Sequence, residues 1–201
     1  MIELGPTTEN EMVLAFLQAE IDSPRFGLAY PSLFGQLERF GITRQTLLEK
    51  ADLNSQRDNA LRAQLLGVLR GYRKNALLFA GFPNDVCWRR VGLQSDDWEK
   101  VKYARDRSWI DLSGGTRRVL DGANHIDISQ IGNPNDHIRA IANDLRNGKR
   151  YPPLIGIEND EGEIVLAEGH CRATACAIAR PRHGIECIVG KSPSFGNWRY
   201  Y

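Results

Sequence analysis

The chain has 201 residues, of which 42% are hydrophobic and 25% charged, a composition typical of a folded globular protein with one or two domains. Its 26 basic and 25 acidic residues give a net charge of +1, which excludes a uniformly basic protein that attracts nucleic acid over its whole surface. No apolar run approaches the roughly 20 residues that a membrane helix needs, and the first residues lack the pattern of a signal peptide. We therefore expect a cytoplasmic protein with no membrane partner.

The first hundred residues carry the signals of short helices. Thr8 and Glu11 have the spacing of a capping box, and the apolar residues that follow recur at helical spacing as far as Ile21. Thr43 is a candidate cap for a short helix that runs to about Ala51. Ser55 and Asp58 begin the longest predicted helix, which continues to about residue 78.

That longest helix is predicted to bury a stripe that includes Leu65, Leu66 and Val68, while Arg62 and Arg70 occupy its solvated face. After the break at residues 81–83, Ser95 is a candidate cap for a helix that holds residues 98–105.

Strand patterns dominate the second half of the chain. Residues 125–131 alternate apolar and polar side chains, and a helical pattern over residues 136–147 follows. Predicted strands at 154–157 and 163–167 flank a hairpin turn at 159–162, and a helix from Cys171 to about Ala179 leads to a last strand at 185–189. The fold class is therefore α+β, with an N-terminal helical region over 1–120 packed on a mixed-sheet core over 121–201.

One stretch, Glu168 to Ala175, combines a strand end, a glycine and a helix start. Gly169 lets a ligand approach the backbone, the N–H groups of the first helical turn face outward, and Arg172 adds a fork of donors. This arrangement is typical of a phosphate-binding site. Glu168 would repel a bare phosphate unless it holds a magnesium ion or activates an attacking hydroxyl, and His170 could act as an acid or base near neutral pH. Each residue also has a structural interpretation, as a helix cap, an ion-pair partner or a hydrogen-bonded core side chain.

At these residues the sequence resembles the ParB/sulfiredoxin superfamily, whose members place a G-x-x-R signature between a strand and a helix. Gly169, Arg172, Ala173 and Ala175 match the signature, residues 126–134 resemble the entry strand and Asn-Pro turn of ParB, and residues 151–156 resemble the segment that helps to hold its nucleotide. The order acid-Gly-His-x-Arg is closer to variants found in a free serine kinase and in nucleotide-hydrolysing defence proteins linked to DNA modification.

The resemblance implies a ParB-like core that binds a nucleoside di- or triphosphate together with Mg²⁺, and a phosphotransferase or NTPase activity. The implied catalytic residues are Glu168, which would also hold the magnesium ion, and His170. The implied phosphate-binding and nucleotide-binding residues are Gly169, Cys171, Arg172 and Thr174.

An alternative function is a non-catalytic DNA- or RNA-binding regulator, and the superfamily's old label suggests a nuclease. Residues 57–118 carry 13 basic against 7 acidic residues (+6), whereas residues 1–56 carry 4 against 8 (−4) and residues 119–201 carry 9 against 10 (−1). Arginines and tryptophans interleaved in this basic helical segment could track a phosphate backbone and stack on bases, although solvated helices are often as charged. The candidate contacts are Arg89, Arg90, Arg105 and Arg107.

Three further patterns are weaker. Residues 113–117 (Ser-Gly-Gly-Thr-Arg) could form a second anion-binding nest or an ordinary glycine-rich turn. The four cysteines lack C-x-x-C spacing, which favours reduced thiols, and we place Cys176 and Cys187 in the core. The spacing of His125, His137 and His183 does not predict a metal site.

Overall fold

The computed structural model describes residues 1–21, 23, 30–127, 134–181 and 184–201. The chain divides into two compact units. One is formed by Thr8–Ala80, and the other by Met1–Thr7 together with Gly81–Tyr201. This division differs from the predicted boundary at residue 120. Residues 1–120 were predicted to be helical, but they include strands that belong to the sheet of the second unit. No helix of the described residues has both the length and the apolar character to cross a bilayer.

The Thr8–Ala80 unit is helical, with α1 at Glu9–Ile21, α2 at Tyr30–Leu37 and α3 at Gln56–Arg70. The predicted capping box is confirmed, since the Thr8 N–H donates to the Glu11 carboxylate (2.8 Å) and the Glu11 N–H donates to Thr8 Oγ1 (3.2 Å). Ser55 caps α3, accepting from the Asp58 N–H at 3.2 Å. The predicted end of α3 near residue 78 is wrong, because Gly71 terminates the helix in the left-handed conformation (φ +80°). Thr43 starts only a short helical turn, Gln45–Glu49.

Arg62 on α3 is fully buried, contrary to the predicted solvated position. Its guanidinium donates to the backbone carbonyls of Leu47 and Asp52, each at 2.9 Å, and also to the Asn59 side chain. The Leu47 carbonyl belongs to the last turn of a short helical segment and the Asp52 carbonyl to the loop after it, where helical N–H donors are lacking. The Arg62 guanidinium supplies the missing donors. Val68, predicted to face the core, is 57% exposed.

The other unit contains a mixed sheet. In the described part of the chain its strands are β1 (Ile2–Pro6), β2 (Cys87–Leu93), β3 (Val101–Lys102), β4 (Leu154–Glu158), β5 (Ile164–Glu168) and β6 (Ile185–Lys191), in the spatial order β1-β2-β6-β4-β5-β3. The pairs β4–β6 and β3–β5 are parallel and the other pairs are antiparallel. The α+β class and the three predicted strands of residues 154–189 are confirmed.

Helices α4 (Arg107–Leu112), α5 (Val119–Asn124), α6 (Pro134–Arg146) and α7 (His170–Ala179) complete this unit. The predicted helix over residues 95–105 is wrong: Ser95–Lys100 forms a 3-10 turn in which Gln94 and Asp97 cap each other, and β3 follows because Val101 pairs with Ile164. Residues 125–127 form a turn instead of the start of a strand, and residues 128–131 of that predicted strand lie outside the described residues.

The core that positions α7 lies between helices α5, α6 and α7 and the sheet. Tyr103, fully buried, reaches into it from the segment after β3, and its hydroxyl bonds Thr174 Oγ1 of α7 at 2.7 Å. Burial raises the pKa of Tyr103, so the phenol stays protonated. The ring passes over Gly122 of α5, where a Cβ would lie 2.3 Å from the Tyr103 hydroxyl oxygen.

We predict that Gly122→Ala destabilises the protein although alanine is the better helix former. Overpacking costs about 2 kcal/mol and helix propensity returns at most about 1 kcal/mol, so the free energy of unfolding should fall by about 1 to 2 kcal/mol. Urea unfolding measures the change. Gly196→Ala is the control, because a Cβ there meets open space. A Gly122→Ala protein as stable as this control would contradict the packing described.

Candidate functional site

The strand–glycine–helix turn predicted at residues 168–170 is confirmed. β5 ends at Glu168, Gly169 adopts the left-handed conformation (φ +97°), and α7 begins at His170. The N–H of Ala173 donates to the Gly169 carbonyl at 2.7 Å, so the N–H groups of the three preceding helical residues have no acceptor within the helix. The first turn of α7 therefore presents a partial positive charge.

Arg172 lies one turn into α7 and is only 7% exposed. Its Nη2 lies 3.4 Å from the Pro153 carbonyl and 3.5 Å from a Glu168 carboxylate oxygen, while its buried Nε has no hydrogen-bond partner in the described part of the chain. Buried polar groups are nearly always hydrogen-bonded, and direct pairs between a guanidinium and a carboxylate are usually 2.7–2.9 Å long. The described residues thus leave the hydrogen bonds of this guanidinium incomplete.

Gly169 makes room for that guanidinium. A Cβ at this position would lie 2.9 Å from Arg172 Nη2, 3.4 Å from Arg172 Nε and 2.5 Å from Leu154 Cδ2. The positive φ also disfavours any side chain. Two separate constraints therefore require glycine here: the left-handed backbone of the turn and the close approach of the Arg172 side chain.

A cavity of about 160 Å³ opens beside Arg172, between the end of α6, one face of α7 and the start of β6. Arg172 and Cys176, four residues apart, share the α7 face that borders it. Arg150 adds a second cation and Glu186 a carboxylate that pairs with Arg90. The remaining lining residues are Leu145, Tyr151, Pro152, Leu154, Gly184 and Ile185.

Tyr151 is held at the cavity by a small polar network. Its hydroxyl donates to Asp144 Oδ2 at 2.6 Å, the same oxygen that accepts from Lys149 Nζ at 2.6 Å, and the Lys149 ammonium lies over the Tyr151 ring. Hydrogen bonds from Lys149 and Tyr151 lower the pKa of Asp144. Asp144 therefore stays ionised and holds the tyrosine.

The other predicted residues of the motif have different neighbours. The Ala104 N–H donates to His170 Nε2 at 3.3 Å, and the imidazole stacks on Trp109 with the ring centroids 5.1 Å apart. Thr174 is fully buried and its hydroxyl contacts the His170 carbonyl and Tyr103. Cys171 packs half-buried against the core. The structure brings Glu168, Gly169 and Arg172 together and places His170 and Thr174 against Tyr103 and Trp109.

A magnesium ion held by Glu168 receives no support from the surrounding side chains. No group of three or more His, Cys, Asp or Glu side chains converges within the described ranges. Glu168 contributes one carboxylate and its neighbour is a guanidinium. This donor set does not fit a cation bound by the protein alone, because Mg²⁺ needs near-octahedral oxygen coordination.

The cysteines expected in the core are buried. Burial raises the pKa of Cys176 and of Cys187 to about 12, against a smaller opposing effect of the Arg172 charge. Both thiols therefore stay protonated at neutral pH. Among the other sequence candidates, His125 bonds the Leu112 carbonyl at 3.1 Å, and His183 lies outside the described residues.

The glycine-rich segment 113–117 forms a closed turn. The N–H groups of Gly114 and Gly115 donate to carbonyls of α4, and those of Thr116 and Arg117 donate to the Ser113 carbonyl and hydroxyl. Because these donors are used within the turn, the segment matches the ordinary-turn interpretation and not the anion-nest one.

The four candidate nucleic-acid contacts do not form a helical surface. Arg89 and Arg90 lie on strand β2, where Arg89 pairs with Glu3 (2.7 Å) and Glu158 (2.8 Å), and Arg90 pairs with Glu186. Arg105 and Arg107 are exposed. Arg107 also has a carboxylate within reach, Asp111 at 3.8 Å. Nucleic-acid binding stays a prediction, and three of its four candidate cations have a carboxylate partner.

Arg150 was missed by sequence reasoning, although it directly precedes the 151–156 segment singled out by the resemblance. Glu186 and Gly184 were missed too, because only the packing of β6 beside α7 brings them to the cavity. Comparisons with protein-family models, with curated proteins and with solved structures found no match. The ParB/sulfiredoxin resemblance thus rests on the motif residues alone.

We predict that Gly169→Ala is more damaging than Gly162→Ala. Both glycines have a positive φ, but a Cβ at Gly162 meets open space, whereas one at Gly169 meets Leu154 and Arg172. The strained backbone should cost each variant about 1 kcal/mol, and the collision should cost Gly169→Ala about 2 kcal/mol more. Denaturant unfolding gives both values, and equal losses would show that Arg172 does not lie against this turn.

Proposed function

We propose that the chain binds a nucleotide by one of its phosphoryl groups, with Arg172 as the principal ligand. The observation that carries the proposal is the buried guanidinium of Arg172, which borders the cavity and whose Nε has no acceptor among the described residues. A guanidinium forms strong charge-assisted hydrogen bonds with phosphate oxygens. The resemblance at Gly169 and Arg172 supplies the reason to expect a nucleotide.

Charge balance around the cavity supports an anion as the ligand. Arg172 is a buried cation, and its one carboxylate contact among the described residues, with Glu168, is 3.5 Å long. Burying a charge is costly unless it is closely paired and hydrogen-bonded, so an oxyanion in the cavity beside the Arg172 guanidinium would stabilise the folded protein. Arg150 at the same cavity adds to the positive potential.

Cavity size limits how much of the ligand is enclosed. A volume of about 160 Å³ is close to that of cavities that hold one benzene-sized molecule. The site would therefore enclose a phosphoryl group and the atoms next to it, while the base lies outside. We expect little discrimination between bases.

The contacts of Arg172 support nucleotide binding, but the surroundings of Glu168 and His170 do not support phosphoryl transfer. The two residues expected to be catalytic are occupied elsewhere: Glu168 contacts Arg172, and His170 Nε2 accepts the Ala104 N–H. Neither belongs to a group of three or more potential metal ligands within the described residues.

Calorimetric titration with nucleoside di- and triphosphates, with and without Mg²⁺, tests the proposal. Arg172→Ala should weaken binding at least about 30-fold, because a buried charge-assisted contact is lost. Arg172→Lys should also weaken it, since an ammonium cannot bond two oxygens side by side.

Arg107→Ala is the matched control, because it removes the same charge from a side chain that is 96% exposed. Circular dichroism establishes that each variant is folded. The proposal fails if no nucleotide binds, or if Arg172→Ala and Arg107→Ala bind equally well.

A further inference from the structure

We infer that Arg150 is a second anion-binding residue, at the opening of the cavity, that makes the site prefer a ligand with two adjacent phosphoryl groups over a ligand with one. This inference rests on the proposed function, in which Arg172 binds the first phosphoryl group. The role of Arg150 follows from the cavity that it lines together with Arg172.

Arg150 is a cation whose charge the described residues leave unpaired. It makes no ion pair or hydrogen bond with any of them, whereas the Nζ atom of the neighbouring Lys149 lies 2.6 Å from Asp144 Oδ2. Glu186, the carboxylate among the described lining residues, is paired with Arg90, which does not line the cavity. The lining therefore carries two guanidinium charges and a carboxylate that already has a partner, and its potential favours an anion with more than one charge.

The backbone that carries Arg150 is held at the end of α6. The Lys149 N–H donates to the Asp144 carbonyl at 3.0 Å, and the Asp144 carboxylate accepts from the side chains on both sides of Arg150, those of Lys149 and Tyr151. Arg150 itself is exposed, so its long side chain keeps its rotamer freedom while its backbone stays beside the cavity. A ligand that protrudes from the cavity can therefore meet this cation without a change in the backbone.

The two arginines lie at different depths. Arg172 on α7 is 7% exposed, whereas Arg150, in the segment after α6, is exposed and so borders the open side of the cavity. The volume of about 160 Å³ encloses one phosphoryl group beside Arg172. In a diphosphate a single oxygen joins the second phosphoryl group to the first, so the second group would lie towards the opening, where Arg150 can bond its oxygens. We therefore expect nucleoside di- and triphosphates to bind more tightly than monophosphates.

Calorimetric titration of the full chain with inorganic phosphate and with pyrophosphate tests the inference. The unaltered chain should bind pyrophosphate more tightly than phosphate. Arg150→Gln removes the charge from an exposed side chain, and we expect it to weaken pyrophosphate binding about fivefold and phosphate binding less than about twofold. Arg146→Gln, the same charge change at an exposed residue of α6 outside the cavity lining, should leave both affinities unchanged at about 0.15 M salt.

The outcomes separate the two proposals. If Arg172→Ala abolishes pyrophosphate binding but Arg150→Gln binds pyrophosphate as tightly as Arg146→Gln does, Arg150 is not a ligand and the proposed function stands. If Arg150→Gln weakens the binding of phosphate and of pyrophosphate by the same factor, the preference for two phosphoryl groups is wrong. If the unaltered chain binds neither phosphate, pyrophosphate nor any nucleotide, the proposed function itself fails and the inference fails with it.

Discussion

The guanidinium of Arg172 is a buried charge that the fold holds without completing its hydrogen bonds, and the features of the candidate site depend on it. Gly169 is required because a Cβ would collide with the guanidinium, and Glu168 lies near enough to compensate its charge without closing a direct pair. Such a charge is destabilising when it lacks partners, and in the proposed function an incoming anion supplies one.

The surrounding fold keeps Arg172 in that position. Two contacts anchor α7 away from the cavity. Thr174 bonds the Tyr103 hydroxyl, and the His170 ring stacks on Trp109, which in turn stacks on Tyr103. These contacts hold the first turn of the helix at the end of β5. The motif residues thus have two different roles. Arg172 borders the cavity, while His170 and Thr174 fix the position of the helix that carries Arg172.

Sequence patterns predicted local structure well and distant contacts poorly. The β5–Gly169–α7 turn and the capping of α1 depend on residues close in the chain, so spacing alone indicates them. Arg62 was placed in solvent because helical periodicity cannot show that the carbonyls of Leu47 and Asp52 need a donor. Arg89 and Arg90 looked like free cations because their partners, such as Glu158, are distant in sequence. The cavity was missed for the same reason, since it forms only where β6 and the end of α6 meet α7.

The most direct measurement of the central claim is the ¹H–¹⁵N signal of the Arg172 Nε–H during titration with inorganic phosphate, assigned by its loss in Arg172→Lys. Because no described residue accepts a hydrogen bond from this donor, phosphate bound to the guanidinium should shift its proton signal in a saturable way. A signal that stays in place while phosphate reaches saturating concentration would show that Arg172 does not bind the anion.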